Sequence, residues 1–254
     1  MPGNEALVVN YLINNIGNLN LNHIGLVQHV QNPGSNGQNL NINSTMLLRP
    51  EDPGKKADIY INGIGVSIKQ SGSSFLFNRL QRAEMLAVFE RLNFGSPRQS
   101  LLKLDTLIES FHNGEFDTRD RHWTECFDAN EFYALLKFLM TEGSPNKGLS
   151  AHPAQYILTA PSRNISPSNI ECLTFDEYFA KYRDVIYISL RRQWIGQSSR
   201  SEHARALGLS AKEGNKPWVL DSIAGTPSSG WRHPNDFPIE DRRTVYMTFI
   251  TVKP

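Results

Sequence analysis

Between Ala57 and Gln70 the sequence ADIYINGIGVSIKQ places two β-rich runs on either side of Asn62-Gly63. This dipeptide suits a two-residue type I′ turn because both central positions need positive φ, so the segment predicts a β-hairpin. The turn fixes the register: Ile61 faces Ile64, Tyr60 faces Gly65, Ile59 faces Val66 and Asp58 faces Ser67. Side chains alternate along a strand. Asp58, Ser67 and Lys69 therefore share one face, and Ile59, Ile61, Ile64, Val66 and Ile68 share the other. From Leu80 to Leu92 apolar residues recur at helical spacing (Leu80, Ala83, Ala87, with Met85, Val88, Phe89 and Leu92 beside them), and Gly95 and Pro97 close the helix. Further helices are predicted at about 99 to 111, 129 to 141 and 174 to 183. Strands are predicted at Tyr156 to Thr159, Val185 to Leu190 and Val245 to Val252.

The first 45 residues read as a helical and loop segment, with one helix around Glu5 to Leu12, another around His23 to Val30, and no packed sheet. From Asn32 to Ser44 large apolar groups nearly vanish, which predicts a loop ordered only on binding a partner. No repeat appears at solenoid periods. The expected architecture is α/β (α+β), a single catalytic domain spanning residues 1 to 254.

Composition changes this picture little. Of 254 residues 39% are hydrophobic and 20% charged, with a net charge of +1, so overall charge neither indicates nor excludes a nucleic-acid partner. Cys126 and Cys172 are too few for a disulfide framework and lack the spacing of a structural zinc site, which fits a reducing cytoplasm. No basic region followed by an apolar stretch opens the chain, and no window nears the roughly 18 apolar residues a membrane span requires. The expectation is a cytoplasmic protein with no membrane partner.

The hairpin carries the candidate chemistry. A carboxylate beside a lysine on a sheet face is what metal-dependent phosphodiester cleavage requires: oxygen holds a hard divalent cation, which polarises phosphate and activates water, while the ammonium group meets developing negative charge. One carboxylate binds magnesium weakly, so a second acid is needed. The plainer alternative is a solvated cross-strand pair between Asp58 and Lys69, worth at most about 1 kcal/mol.

This arrangement resembles the PD-(D/E)xK nuclease superfamily, whose signature is an acid on one strand of a hairpin followed by acid-x-Lys on the next. Asp58 matches the first acid, and Ser67-Ile68-Lys69 stands at the acid-x-Lys position. The departure is Ser67. A subset of type II restriction endonucleases has the same Ser-x-Lys, with the missing acid supplied by a Glu on the following helix; Glu84 stands at that place. The resemblance covers roughly residues 52 to 90. It implies a restriction-endonuclease-like central mixed sheet flanked by helices, one or two Mg2+ held by Asp58 and Glu84, and Lys69 assisting the attack of water. Ser67 would occupy the place of a lost acid, with Gln70 as a further polar member of the site. The expected activity is Mg2+-dependent, sequence-specific hydrolysis of double-stranded DNA to 5′-phosphate ends by a bacterial homodimer.

Two segments supply groups suited to DNA. After Leu190 come Arg191, Arg192, Gln193, Trp194, Gln197, Arg200, His203 and Arg205, and residues 225 to 236 carry Trp231, Arg232, His233 and Asn235. Residues 185 to 254 hold ten Lys and Arg against six Asp and Glu, so the expected DNA-contacting region is about 190 to 240. Arg119-Asp120-Arg121 has the form of an Arg-acid-Arg guanine reader but lies too far past the lysine to carry that role. His122 and Cys126 lack a third metal ligand at suitable spacing. The rival functions are a repair or recombination nuclease of the same superfamily and a DNA-binding protein without catalysis. A metabolic enzyme is disfavoured by the absence of a Gly-rich phosphate loop or a triad motif.

Overall fold

The computed structural model describes residues 5–34, 38–41, 55–71, 74–75, 80, 82–112, 115–116, 120–189 and 249–251. In chain order the N-terminal part holds α1 (Glu5–Asn14), β1 (Asn20–Leu21), β2 (Gly25–Leu26), β3 (Val30–Gln31), β4 (Ile59–Ile61), β5 (Ile64–Gln70) and β6 (Ser74–Phe75). Next come α2 (Arg82–Arg91), α3 (Pro97–His112), β7 (Asp120–His122), α4 (Trp123–Cys126) and α5 (Ala129–Lys137), which runs into a π-helical turn at Phe138–Glu142. The remainder is β8 (Gly143–Ser144), β9 (Gly148–Leu149), β10 (Tyr156–Ala160), β11 (Glu171–Leu173), α6 (Phe175–Tyr182), β12 (Ile186–Ser189) and β13 (Phe249–Thr251). The content is mixed α+β, as expected, with a five-stranded mixed sheet flanked by helices. Among the described residues no helix is long and apolar enough to cross a membrane.

Contacts divide the chain into two compact units. One is Met1–Phe77 with Tyr133–Ile186 and Ile250–Pro254, the other Asn78–Phe132 with Tyr187–Phe249.

The first unit is built on the sheet in the order β11-β10-β5-β4-β3. The hairpin has the predicted register, with Ile59 opposite Val66, Tyr60 opposite Gly65 and Ile61 opposite Ile64. Its turn uses Asn62 at φ 52° and Gly63 at φ 79°. The only parallel pair in this sheet is β5 with β10, Ser67 lying opposite Ile157 and Lys69 opposite Thr159. Parallel strands need a crossover connection; here it contains residues 78–132, the first stretch of the second unit. One sheet face presents Ile59, Ile61, Val66, Ile68, Leu158 and Ala160 to Val8, Val9 and Leu12 of α1, all in one buried cluster. Each large aliphatic side chain so buried contributes roughly 1.5–3 kcal/mol. Gly65 is required sterically, since a Cβ there would lie 2.3 Å from the Pro153 carbonyl oxygen.

The reading of residues 1 to 45 needs correction. In place of a helix from His23 to Val30 the chain forms the β1–β2 hairpin and then β3, the edge strand beside β4. His23 at φ 65° and Gly25 at φ 81° sit in the left-handed region, which interrupts a right-handed helix. Asn62 ties this segment to the β4–β5 hairpin: its Oδ1 accepts from the Gln28 and His29 amides at 2.9 and 3.1 Å, and its Nδ2 donates to Leu26 O at 2.8 Å. The amide side chain, not only the turn propensity, decides where β3 pairs. Part of the predicted loop is also ordered by backbone bonds, since Leu40 N donates to Val30 O at 2.7 Å.

The second unit has a core of aromatic rings. Phe89 stacks on Phe94 at 4.5 Å between centroids, and Trp123 on Phe132 at 4.6 Å. Arg82 grips Asp105 through two nitrogens at 2.8 and 2.7 Å, which fastens α2 to α3. Strand β12 pairs antiparallel with β7, Tyr187 opposite His122.

Candidate active site

The predicted acid, serine and lysine converge. Asp58 sits just before β4, and its amide donates to Val66 O at 2.9 Å, so it continues the ladder opposite Ser67. Asp58 Oδ2 accepts from Ile68 N at 2.6 Å and from Ser67 Oγ at 3.3 Å. Lys69 Nζ donates to Ser67 Oγ at 2.7 Å and to Ile68 O at 3.1 Å, and stands 4.0 Å from Asp58 Oδ2. Ser67 is only 1% exposed, so its hydroxyl serves as a fixed bridge between carboxylate and ammonium. This differs from a solvated surface pair, because the Lys69 side chain retains only 19% exposure.

The second carboxylate at this place belongs to Glu5, which the sequence reading passed over. Its pKa is raised, first by burial and then by the negative charge of Asp58, while Lys69 and Lys55 pull it back. Glu5 is thus within electrostatic reach of Asp58. A signal existed: Glu5 precedes Val8, Val9 and Leu12 at i+3, i+4 and i+7, so it lies on the apolar, sheet-facing stripe of α1, where a charge is out of place. Among the described residues its carboxylate makes no hydrogen bond or ion pair.

A second lysine was also missed. Lys56 is 7% exposed and donates to Leu139 O of the π-helical turn at 2.8 Å. Burial lowers its pKa to about 8, helped by the like charge of Lys69 and opposed by Asp58. No sequence pattern marks it, since its acceptor comes from a remote turn.

The other candidates are placed as follows. Glu84 lies in the first turn of α2, in the second unit. Gln70 ends β5, where strand alternation puts it on the Ile68 side and not the Lys69 side. Arg191, Arg192, Gln193, Trp194, Gln197, Arg200, His203, Arg205, Trp231, Arg232, His233 and Asn235 lie outside the described residues. Arg121 is engaged with Glu125 and stacks over Phe116 at 4.1 Å. Burial pushes the thiols of Cys126 and Cys172 up to about 12, which removes both as nucleophiles at neutral pH.

No family model, curated protein or solved structure matches this chain. The site's own chemistry must therefore carry the functional reading. The atoms that face this space as metal donors are oxygens: the carboxylates of Asp58 and Glu5, and the Ile68 carbonyl that Lys69 Nζ meets. That set fits a hard divalent cation such as Mg2+, which is commonly held by one or two carboxylates with water and substrate phosphate completing its shell. Among the described residues no three His, Cys, Asp or Glu side chains come together, so water and phosphate would have to supply those remaining positions.

Proposed function

We propose that the chain is a Mg2+-dependent endodeoxyribonuclease of the PD-(D/E)xK type, cutting double-stranded DNA in a sequence-specific manner as type II restriction enzymes do. The observation that carries this reading is the buried Ser67 bridge, which holds Lys69 Nζ and Asp58 Oδ2 4.0 Å apart on a rigid hairpin, with Glu5 as a second acid in electrostatic reach. Asp58 and Glu5 would hold the cation. When bound, the cation supplies Lewis-acid polarisation of the phosphate and a lowered pKa for water. Ser67 and the Ile68 carbonyl aim the Lys69 ammonium, which then faces the charge that grows on the phosphoryl oxygens as water attacks. The P–O3′ bond breaks, leaving the phosphate on the 5′ end. A bacterial cytoplasmic setting and a two-fold symmetric dimer on duplex DNA belong to the same proposal, with residues 190 to 240 as the DNA-contacting region.

A second reading, a DNA-binding protein without catalysis, is favoured by one observation: Ser67 stands where an acid is expected, and among the described residues no third acid joins Asp58 and Glu5. One assay separates the two. Full-length protein is incubated with supercoiled plasmid and Mg2+, alongside Asp58→Asn and Lys69→Ala. Discrete fragments from the wild type, lost in both variants while duplex binding persists, are expected. A smear in place of discrete bands would indicate a repair or recombination nuclease, and equal inactivity of all three with retained binding would leave only the binding module.

A further inference from the structure

Helix α1 carries two stripes. Val8, Val9 and Leu12 are buried against the sheet, whereas Leu7, Asn10, Tyr11 and Asn14, at i, i+3, i+4 and i+7, line a cavity of about 380 Å³ beside the loop that follows β10. Arg163 and Ile165 belong to the loop side. The volume falls within the range of about 300–1,000 Å³ common for small-molecule sites. The loop leaves the carboxyl end of β10, which Ser71 N ties to the end of β5 by donating to Ala160 O at 2.8 Å. Asn169 then closes it: its Oδ1 accepts from Ser166 N at 2.8 Å and its Nδ2 donates to Asn164 O at 2.9 Å, with Asn164 in the left-handed region at φ 54°. The wall that holds Arg163 is thus tied down by its own hydrogen bonds.

The groups around this cavity are not satisfied by the protein itself. Asn10 Oδ1 is withdrawn from solvent and accepts no hydrogen bond. A buried amide oxygen without a donor is uncommon in native structures and calls for a reason. The terminal torsion of asparagine is broad, so a modest rotation turns this amide toward the cavity. Leu7 leaves 52% of its surface exposed although it lines the cavity. Among the described residues the Arg163 guanidinium has no ion pair or hydrogen bond, and no acid lines the cavity beside it. An occupant that satisfies all three brings a hydrogen-bond donor to Asn10, a flat apolar surface to Leu7, Tyr11 and Ile165, and negative charge to Arg163.

We propose that this cavity is a binding site for a nucleoside monophosphate, separate from the Asp58–Lys69 centre and independent of the nuclease reading. A nucleobase is a flat body with donors and acceptors along its edges, and an asparagine amide pairs with such an edge by offering both kinds of group in one plane. Asn10 and Asn14, about one helical turn apart, present two such amides. Tyr11 supplies an aromatic surface, on which any base can stack. Phosphate complements Arg163, whose planar fork of N–H donors meets two phosphate oxygens at once. A simple aromatic carboxylate satisfies the cation and the apolar wall but brings no donor to Asn10, which favours the nucleotide.

The test is isothermal titration calorimetry of the full-length protein with AMP, GMP, CMP and UMP, in EDTA so that no divalent cation bridges phosphate to Asp58 and Glu5. The matching nucleosides, inorganic phosphate and benzoate are titrated in parallel. At least one monophosphate should bind with a Kd on the order of 10–100 µM, about tenfold or more tighter than its nucleoside, phosphate or benzoate. Arg163→Ala should weaken the monophosphate about tenfold and leave the nucleoside unchanged. Arg163 is exposed, so this variant should keep the wild-type urea midpoint. Asn10→Leu, which removes the orphaned amide, should abolish binding without lowering that midpoint, and Arg163→Ala carries the test if Asn10→Leu unfolds. Three results would each overturn the site: no monophosphate bound more tightly than about 1 mM, a nucleoside or benzoate bound as tightly as the monophosphate, or a monophosphate Kd that Arg163→Ala leaves unchanged.

Discussion

Asp58 is the principal charge acting on Glu5, and it acts against it: after burial, the aspartate raises the glutamate's pKa more than any other neighbour moves it. Two carboxylates separated by more than fifty residues in sequence are therefore held where the charge of Asp58 opposes the ionisation of Glu5. Such an arrangement costs stability when nothing positive lies between them. Lys69 and Lys55 relieve part of this cost. A divalent cation would relieve more, which is the physical reason to treat the pair as a binding site and not as accidental neighbours.

From this follows a test of Glu5. Glu5→Gln should lower Mg2+-dependent cleavage by on the order of 100-fold or more, the effect of losing several kcal/mol of transition-state stabilisation. At the same time the metal-free protein should lose no stability in a urea titration, because a repelled charge has been removed. Wild-type single-turnover cleavage by Glu5→Gln would remove Glu5 from the proposed site.

Gly65 and Asn62 hold the hairpin that carries the site. Gly65→Ala places a methyl group against the Pro153 carbonyl, 2.3 Å from the ideal Cβ, and should destabilise the fold by about 1–3 kcal/mol. Asn62→Ala loses three hydrogen bonds to residues 26–29 and strains a positive φ, with a cost of about 2 kcal/mol or more. Urea midpoints measured at constant m-value check both. A wild-type midpoint for Gly65→Ala would mean that β5 and the 153–155 segment are not packed as described.

The two thiols provide a pH test. Both are pushed up to about 12 by burial. Below about pH 8 they are mostly protonated in folded and unfolded chains alike and add little pH dependence. From about pH 8 to 12 the unfolded chain releases these protons while the folded one keeps them, so their contribution makes stability fall as pH rises. Thiol reagents at pH 8 should accordingly label Cys126 and Cys172 only at the rate of unfolding, and rapid labelling of native protein would contradict their burial.

What the sequence by itself determined is local in origin. Asn62-Gly63 forces a two-residue turn, a two-residue turn sets the register, and strand alternation then puts Asp58, Ser67 and Lys69 on one face; none of these steps needs a distant partner. Helices α2, α3 and α6 were legible for the same reason, since their apolar spacing repeats within a few turns. Tertiary structure alone decided the rest. Strands β1 to β3 are two-residue pieces without periodicity, and β3 exists because Asn62 and β4 supply its partners. Glu5 and Lys56 reach the hairpin from a helix and a loop, and their meeting depends on how α1 packs and how β5 pairs in parallel with β10. A sequence pattern records spacing within one element; convergence between elements follows from burial of the Val8, Val9 and Leu12 stripe against the sheet, which places Glu5 beside Asp58.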